Sequence, residues 1–235
     1  ERAETGRIYI MNIDHCNTHS SFKDKVYMSN LCQEITLPTT PLDHIDDEKG
    51  EIALCILSAI NLGLIRDKDE LEGLCDLSVR ALDEIIDYQE YPIEAARISA
   101  ESRRSLGIGY IGLAHFLAKN HVKYDDKDAL VLVDEITEAF QYYLLKASNN
   151  LAQEKGKCDY FHMTKYSDGI LPIDTYKKDL DKIVKRKLSY DWKELRKDIQ
   201  EHGLRHSTLS AQMPSESSSV VSNATNGIEP PRDYL

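Results

Sequence analysis

Met28-Ser29-Asn30-Leu31-Cys32-Gln33-Glu34-Ile35 places an amide, a thiol and a carboxylate at alternate positions. In an extended strand, side chains at i, i+2 and i+4 share one face, about 6–7 Å apart along it. Taken as a strand, the segment presents Asn30, Cys32 and Glu34 on one surface, with Leu31, Gln33 and Ile35 behind. A redox-capable sulfur beside a general base and a hydrogen-bonding amide suits work on a polyhydroxylated substrate. The plainer reading is a short strand with a buried cysteine, since free Cys is among the most buried residue types. The octapeptide alone favours the plainer reading; its surroundings reverse the balance.

Working outward, residues 7–13 (Arg-Ile-Tyr-Ile-Met-Asn-Ile) read as a strand, and 14–25 as a polar loop. Residues 27–37 are the extended segment, closed by Pro38, and 39–49 form another loop. The apolar run 52–57 fits a buried strand or the start of a buried helix, and periodicity does not choose between them. Helices are predicted over 69–88, with Leu71, Leu74, Leu82 and Ile85 on one side, and over 129–155, with Gly156 as the residue that ends it. A third spans 191–202 before Gly203. Residues 204–213 read as a strand, and 215–224 as a Ser-rich loop entering a short helix. Alternating strands and helices predict an α/β fold.

The 235 residues suffice for one large domain or two small ones, and 41% hydrophobic with 29% charged residues describe a soluble globular protein. The net charge of −11, from 29 basic and 40 acidic residues, argues against nonspecific nucleic-acid binding, which needs Lys and Arg to neutralise phosphates. A phosphorylated small substrate stays open, because helix N-termini hold phosphate without global positive charge. No apolar run reaches the roughly 18–20 residues that cross a bilayer. The five cysteines, odd in number and irregularly spaced, point to a reducing, cytoplasmic setting rather than a disulfide-stapled secreted domain. The start, Glu1-Arg2-Ala3-Glu4-Thr5, lacks an initiator Met and a signal sequence, and the chain reads as a fragment of a longer protein.

Each further motif has a plain alternative. Pro214-Ser215-Glu216-Ser217-Ser218-Ser219-Val220 concentrates hydroxyls and free N–H groups that suit a phosphate, but by spacing alone ordinary N-capping by serine is favoured, and the two can coexist. Cys55, within Glu51-Ile52-Ala53-Leu54-Cys55-Ile56-Leu57, reads first as a small core residue. Gly107-Ile108-Gly109-Tyr110-Ile111-Gly112 matches the dinucleotide pattern G-x-G-x-x-G, with Asp134 at a suitable distance. The residues before it, 101–105, are not the buried strand that motif requires, and close packing of a turn is the expected use of these glycines. His15-Cys16-Asn17-Thr18-His19 holds three potential ligands, yet lacks the two spaced pairs of a structural zinc site and reads as a polar loop.

Together these segments resemble the large, catalytic subunit of class I ribonucleotide reductase in its bacterial and bacteriophage form. The matching stretches are residues 5–10, 14–19, 29–35, 50–55, 169–176, 213–218 and 222–232, ordered and spread over nearly the whole chain. The resemblance implies that residues 1–235 are a portion of the catalytic domain, a ten-stranded α/β barrel whose finger loop carries a radical cysteine to the barrel centre. It implies that Cys32 is that cysteine, abstracting the 3′ hydrogen of a ribonucleotide as a thiyl radical. Glu34 would take the 3′-hydroxyl proton, and Asn30 would hydrogen-bond the substrate. Cys55 would be one of two cysteines that reduce the substrate, and Glu216, Ser217 and Ser218 would hold its diphosphate.

The expected reaction converts ribonucleoside diphosphates to 2′-deoxyribonucleoside diphosphates for DNA synthesis, in the cytoplasm, or in the host cytoplasm for a phage protein. No cofactor or metal is expected in this chain. The radical would come from a separate, metal-containing small subunit, and electrons from thioredoxin or glutaredoxin. Further expected partners are the remaining parts of a dimeric large subunit; no nucleic acid or membrane is expected. The second reducing cysteine, the effector-binding regions and the radical-relay tyrosines of the family are missing from these residues, and Cys16, Cys75 and Cys158 do not match that second cysteine. The alternatives are a noncatalytic structural piece of a split subunit and a dinucleotide-dependent oxidoreductase built on the Gly107 loop.

Overall fold

The computed structural model describes residues 1–231; Arg232, the end of the last matching stretch, lies outside them. In chain order the elements are helices α1 (Arg2–Thr5) and α2 (Ile13–His19), strand β1 (Ile56–Asn61), helices α3 (Lys68–Tyr88) and α4 (Glu94–Arg103), strand β2 (Leu106–Ile111), and helices α5 (Leu113–Lys119), α6 (Lys127–Lys155), α7 (Pro172–Thr175), α8 (Trp192–His202) and α9 (Glu216–Val221).

β1 and β2 pair in parallel, Ile56 opposite Leu106 through Asn61 opposite Ile111. A parallel pair needs a crossover, and α3 and α4 supply it. Residues 208–211 extend the layer beyond β2: Leu106 and Ile108 donate their N–H groups to the carbonyls of Thr208 and Leu209, and Ala211 donates back to Ile108. This is an α/β arrangement, as the alternation predicts.

β2 is buried along its whole length because its two faces meet different partners. Leu106, Ile108 and Tyr110 enter the main apolar cluster with Leu71, Val79, Leu144, Leu145 and Ile199 from the long helices. Gly107 and Gly109 face the other way. A methyl on Gly107 would lie 2.6 Å from Leu57 and 2.7 Å from Ile35, and one on Gly109 would collide with the carbonyl of Ala211. Only hydrogen leaves room for the second cluster of Phe22, Val26, Ile35, Leu37 and Ala211, against which Met11, Ala53 and Cys55 pack. The glycines therefore do not pack a turn: two belong to a strand, and only Gly112, at φ +76°, makes the strand-to-helix turn.

Three further expectations change. Residues 7–13 are not a strand: Ile8, Tyr9 and Ile10 are exposed, and Ile13 already begins α2. The supposed polar loop 14–25 contains α2, a helix with no buried residue and hence no apolar stripe to read. The stretch 204–213 runs extended beside β2 but forms only one bridge, Ile108 to Ser210. The helices predicted at 69–88, 129–155 and 191–202 correspond to α3, α6 and α8.

Candidate active site

Asn30, Cys32 and Glu34 share a tight turn, not a strand face. The Asn30 carbonyl accepts the N–H of Gln33 at 3.2 Å, the Asn30 N–H donates to the Ile35 carbonyl at 3.1 Å, and the Asn30 side-chain oxygen accepts the N–H of Ile35 at 3.2 Å. Gln33 sits at φ +64°, a left-handed conformation no strand accommodates. Asn30 thus uses its short amide to close the turn on itself, a local bond that competes with a sheet ladder.

The turn is anchored behind and open in front. Ile35 and Leu37 are buried in the second cluster, whereas Leu31 is 81% exposed and Cys32 is exposed beside it. Glu34 turns inward. Its Oε2 is buried and has no hydrogen-bond partner among the described residues. It borders a cavity of about 300 Å³ that is also lined by Ser20, Thr36, Lys165, Thr175, Thr208 and Ser210. A buried acceptor without a donor is costly, and a ligand hydroxyl would satisfy it. The Lys165 ammonium, lowered in pKa by burial, donates to the Asn17 and Thr18 carbonyls at 2.8 and 3.0 Å and so closes the C-terminus of α2 at the cavity wall.

Cys55 immediately precedes β1 and packs against the same cluster as Ile35. Its thiol pKa is raised by burial and, second, by the charge of Glu34. The structure therefore brings Cys55 to the Glu34 side of the turn. Cys75 and Cys158 differ: both are buried in the main cluster, and burial pushes their thiols up to about 12.

Glu216, Ser217 and Ser218 lie elsewhere, beyond the C-terminal ends of the strands. Their helix is tied there by Asn61, whose side chain donates to the Ser222 carbonyl, and by Gly112 and Leu113, which donate to the carbonyls of Thr225 and Gly227. All three are exposed. The Ser215 hydroxyl makes no capping bond and instead pairs with the Asn226 side chain at 3.2 Å. Cys55 and residues 216–218 thus stand off opposite ends of β1.

The G-x-G-x-x-G segment is itself strand β2 and the turn into α5. Residues 101–105 before it are the end of α4 and two coil residues, not the buried strand the motif requires, as the sequence reading holds; a strand-turn-helix passage is still present. The space a pyrophosphate would need is nonetheless taken, above Gly109 by Ala211 and Met213, and beside Gly112 by Asn61 and Gly63. His15 and His19 stack edge to face on α2, and among the described residues no three His, Cys, Asp or Glu side chains gather as a metal-ligand group.

Sequence reasoning missed two buried ion clusters that hold the site's scaffold. Arg103 donates to Glu51 at 2.6 Å and to Asp24 at 3.0 Å. Arg104, at φ +48°, donates to Asp83 at 2.7 Å and to Asp87 at 2.7 Å. The adjacent arginines were visible, but nothing in the sequence paired them with carboxylates up to 79 residues away.

A parallel pair backed by helices on one face, with a cysteine-bearing loop on the other, is an α/β arrangement of the kind a portion of an α/β barrel presents. The family model for the ribonucleotide reductase barrel domain matches residues 1–235. The ribonucleoside-diphosphate reductase alpha subunit of Haemophilus influenzae is 64% identical over 238 residues, covering all of this chain and 32% of that protein. The corresponding subunit 1 alpha of Escherichia coli is 62% identical over all of the chain, and that of phage T4 is 46% identical over 99% of it, each match covering 31% of the relative. The chain belongs to the ribonucleotide reductase barrel-domain family. It spans about a third of the length of the curated relatives it matches.

Proposed function

We propose that residues 1–235 form a portion of the catalytic barrel of a class I ribonucleoside-diphosphate reductase alpha subunit, reducing ribonucleoside diphosphates to 2′-deoxyribonucleoside diphosphates. The observation that carries this reading is Glu34: a buried, unpartnered carboxylate oxygen at a cavity, on the turn that holds Cys32 and beside Cys55.

In this reading Cys32, as a thiyl radical, takes the hydrogen atom from C3′ and becomes a thiol. Glu34 accepts the 3′-hydroxyl proton, and the free amide end of Asn30 steadies the sugar. The 2′-hydroxyl leaves as water. Two electrons and two protons come from the Cys55 thiol and a second thiol outside these residues, which become a disulfide. The Cys32 thiol then returns its hydrogen to C3′, restoring the thiyl radical. Glu216, Ser217 and Ser218, exposed beyond the far end of β1, take the diphosphate, through the two serine hydroxyls and the backbone N–H groups at the helix start.

The radical would be generated in a separate metal-containing small subunit, and thioredoxin or glutaredoxin would reduce the disulfide. The rest of a dimeric alpha subunit would complete the barrel. A cytoplasmic location suits the five free cysteines, and among the described residues no helix is long and apolar enough to cross a membrane.

The test is deoxyribonucleotide formation by the complete alpha subunit with its small subunit and thioredoxin, beside Cys32→Ala. The expected result is product that disappears in the variant. Product that persists, or none from the fully assembled wild type, overturns the reading.

A further inference from the structure

His206 is wholly buried and belongs to none of the groups assigned to the reaction. Its Nε2 lies 3.2 Å from the Asp83 carboxylate on α3, and its Nδ1 lies 2.9 Å from the Ser148 hydroxyl on α6. Asp83 and Ser148 are also fully buried. A carboxylate only accepts, so Nε2 carries the hydrogen and Nδ1 of the neutral ring accepts from Ser148. Asp83 already receives Arg104 at 2.7 Å and Arg205 at 3.2 Å, and these cations oppose a further charge on the ring. The imidazole is therefore fixed in one tautomer between two helices.

The next residue carries that position toward the site. Ser207 donates its N–H to the Arg103 carbonyl at 2.9 Å, and its carbonyl accepts the Ser21 hydroxyl at 2.7 Å. Ser21 stands at the base of the loop that rises to Cys32 and Glu34, and its carbonyl accepts the N–H of Lys165 at 2.7 Å. Four residues beyond Ser207, Ala211 packs in the cluster that contains Ile35 and Leu37, the foot of the same loop. A shift at His206 thus reaches the loop by two routes, one polar through Ser21 and one apolar through Ala211.

We propose that His206, held between Asp83 and Ser148, is a positioning residue that sets where the Asn30–Cys32–Glu34 turn stands by fixing segment 204–211 beneath it. The proposal rests on the reductase reading for its catalytic consequence, and on the two contact routes for its structural one.

The test compares the complete wild-type subunit with His206→Ala, His206→Gln and Ser148→Ala. Gln keeps a neutral donor for Asp83, and Ser148→Ala removes only the hydroxyl that holds the other ring nitrogen. Hydrogen exchange is measured over 204–211, over 22–37, and over α5 as a control that global loosening would move equally. Turnover is measured as kcat and KM.

In His206→Ala, exchange should rise about tenfold in both 204–211 and 22–37 but not in α5, and kcat should fall about tenfold with KM little changed, the scale of one buried hydrogen bond lost. His206→Gln should restore both, and Ser148→Ala should lie between. If His206→Ala does not fold, the other two variants decide. The proposal is overturned if 204–211 loosens while 22–37 stays protected, or if all segments loosen alike. Absence of turnover in the wild type would count against the reductase reading, and the exchange measurements would still judge the coupling.

Discussion

The charge of Glu34 acts on the Cys55 thiol and, after burial, is the second reason that sulfur holds its proton above the ordinary thiol range. One residue belongs to the loop and the other to the approach to β1, so the electrostatic link ties the loop to the sheet. Since only the thiolate is nucleophilic, Glu34 slows nucleophilic reaction of the Cys55 sulfur. Glu34→Gln should therefore speed alkylation of Cys55 at mildly alkaline pH by about threefold, the scale of one removed like charge near a half-exposed group. Peptide mass spectrometry after an iodoacetamide time course reads this directly. An unchanged or slower rate would place Glu34 out of electrostatic reach of Cys55.

Gly109 is a second point of control. Its alanine variant would drive a methyl into the Ala211 carbonyl and against Met213, whose sulfur would lie at 3.0 Å. Backbone cannot swing aside as a side-chain tip can, so Gly109→Ala should cost about 3 kcal/mol, the upper part of the overpacking range. Gly73, on α3, has nothing within 4 Å of an added methyl. Gly73→Ala should leave stability unchanged or raise it by up to about 1 kcal/mol, as a helix-interior glycine replaced by alanine does. Urea unfolding of the two variants separates these outcomes.

The turn itself depends on Gln33. At φ +64° a β-branched side chain is strained, and Gln33→Val should cost about 1–2 kcal/mol and displace the turn, whereas Gln33→Gly should be tolerated. Turnover should follow the same order, wild type near Gln33→Gly and well above Gln33→Val. Equal activity of the Val and Gly variants would show that the left-handed residue does not set the position of Cys32.

Acid should loosen the fold through the cluster around His206. Burial, first, and the charges of Arg104 and Arg205 lower the pKa of the ring below its unfolded value of about 6.5, against the pull of Asp83. Below that value the unfolded chain binds more protons than the folded one, so this contribution is complete above about pH 6.5 and is lost as pH falls. Asp83 acts in the same direction at lower pH. Burial opposes its charge, but the hydrogen bond from His206 and the cations Arg104 and Arg205 outweigh burial and keep its carboxyl well below the carboxylate range. Lys155 and Asp87 border the same group. The thermal midpoint should fall between pH 6.5 and 5, and His206→Gln should flatten that upper part of the slope while leaving the Asp83 part. Calorimetry across this range would contradict the account if both proteins gave the same slope.

The parts of the fold legible in the sequence were those with long apolar periodicity. Over α3, α6 and α8, Leu71, Leu82, Phe140, Leu144, Leu151, Leu195 and Ile199 recur at helical spacing and are all buried. Helix α4 escaped because it buries Ala95, Ala96, Ser99 and Ala100, residues too small to make a stripe. The alternation Leu106-Gly107-Ile108-Gly109-Tyr110 is a strand with one bare face, but the glycines read as turn residues because the partners that need the space, Ile35 and Ala211, are remote in sequence. In the candidate site, the grouping of Asn30, Cys32 and Glu34 was legible from residue type and from resemblance, while its geometry was not. Whether Asn30 bonds its own loop or leaves a ladder open is settled by the left-handed Gln33, and any residue except proline can be forced there by its surroundings.

Arg103 and Arg104 follow one another at the end of α4, yet their side chains leave in opposite directions. One goes to Glu51, Asp24 and the rings of Phe22 and Tyr160, the other to Asp83 and Asp87 on α3. The Arg103–Arg104 peptide thus ties the loop side of the sheet to the helical side, alongside the ladder of β1 with β2 and the bonds of segment 208–211. Loosening either side would leave a buried carboxylate of its cluster without its guanidinium, at a cost of about 3–5 kcal/mol. The loop that bears Cys32 and the helical layer are thereby coupled, so that loosening of one is felt in the other.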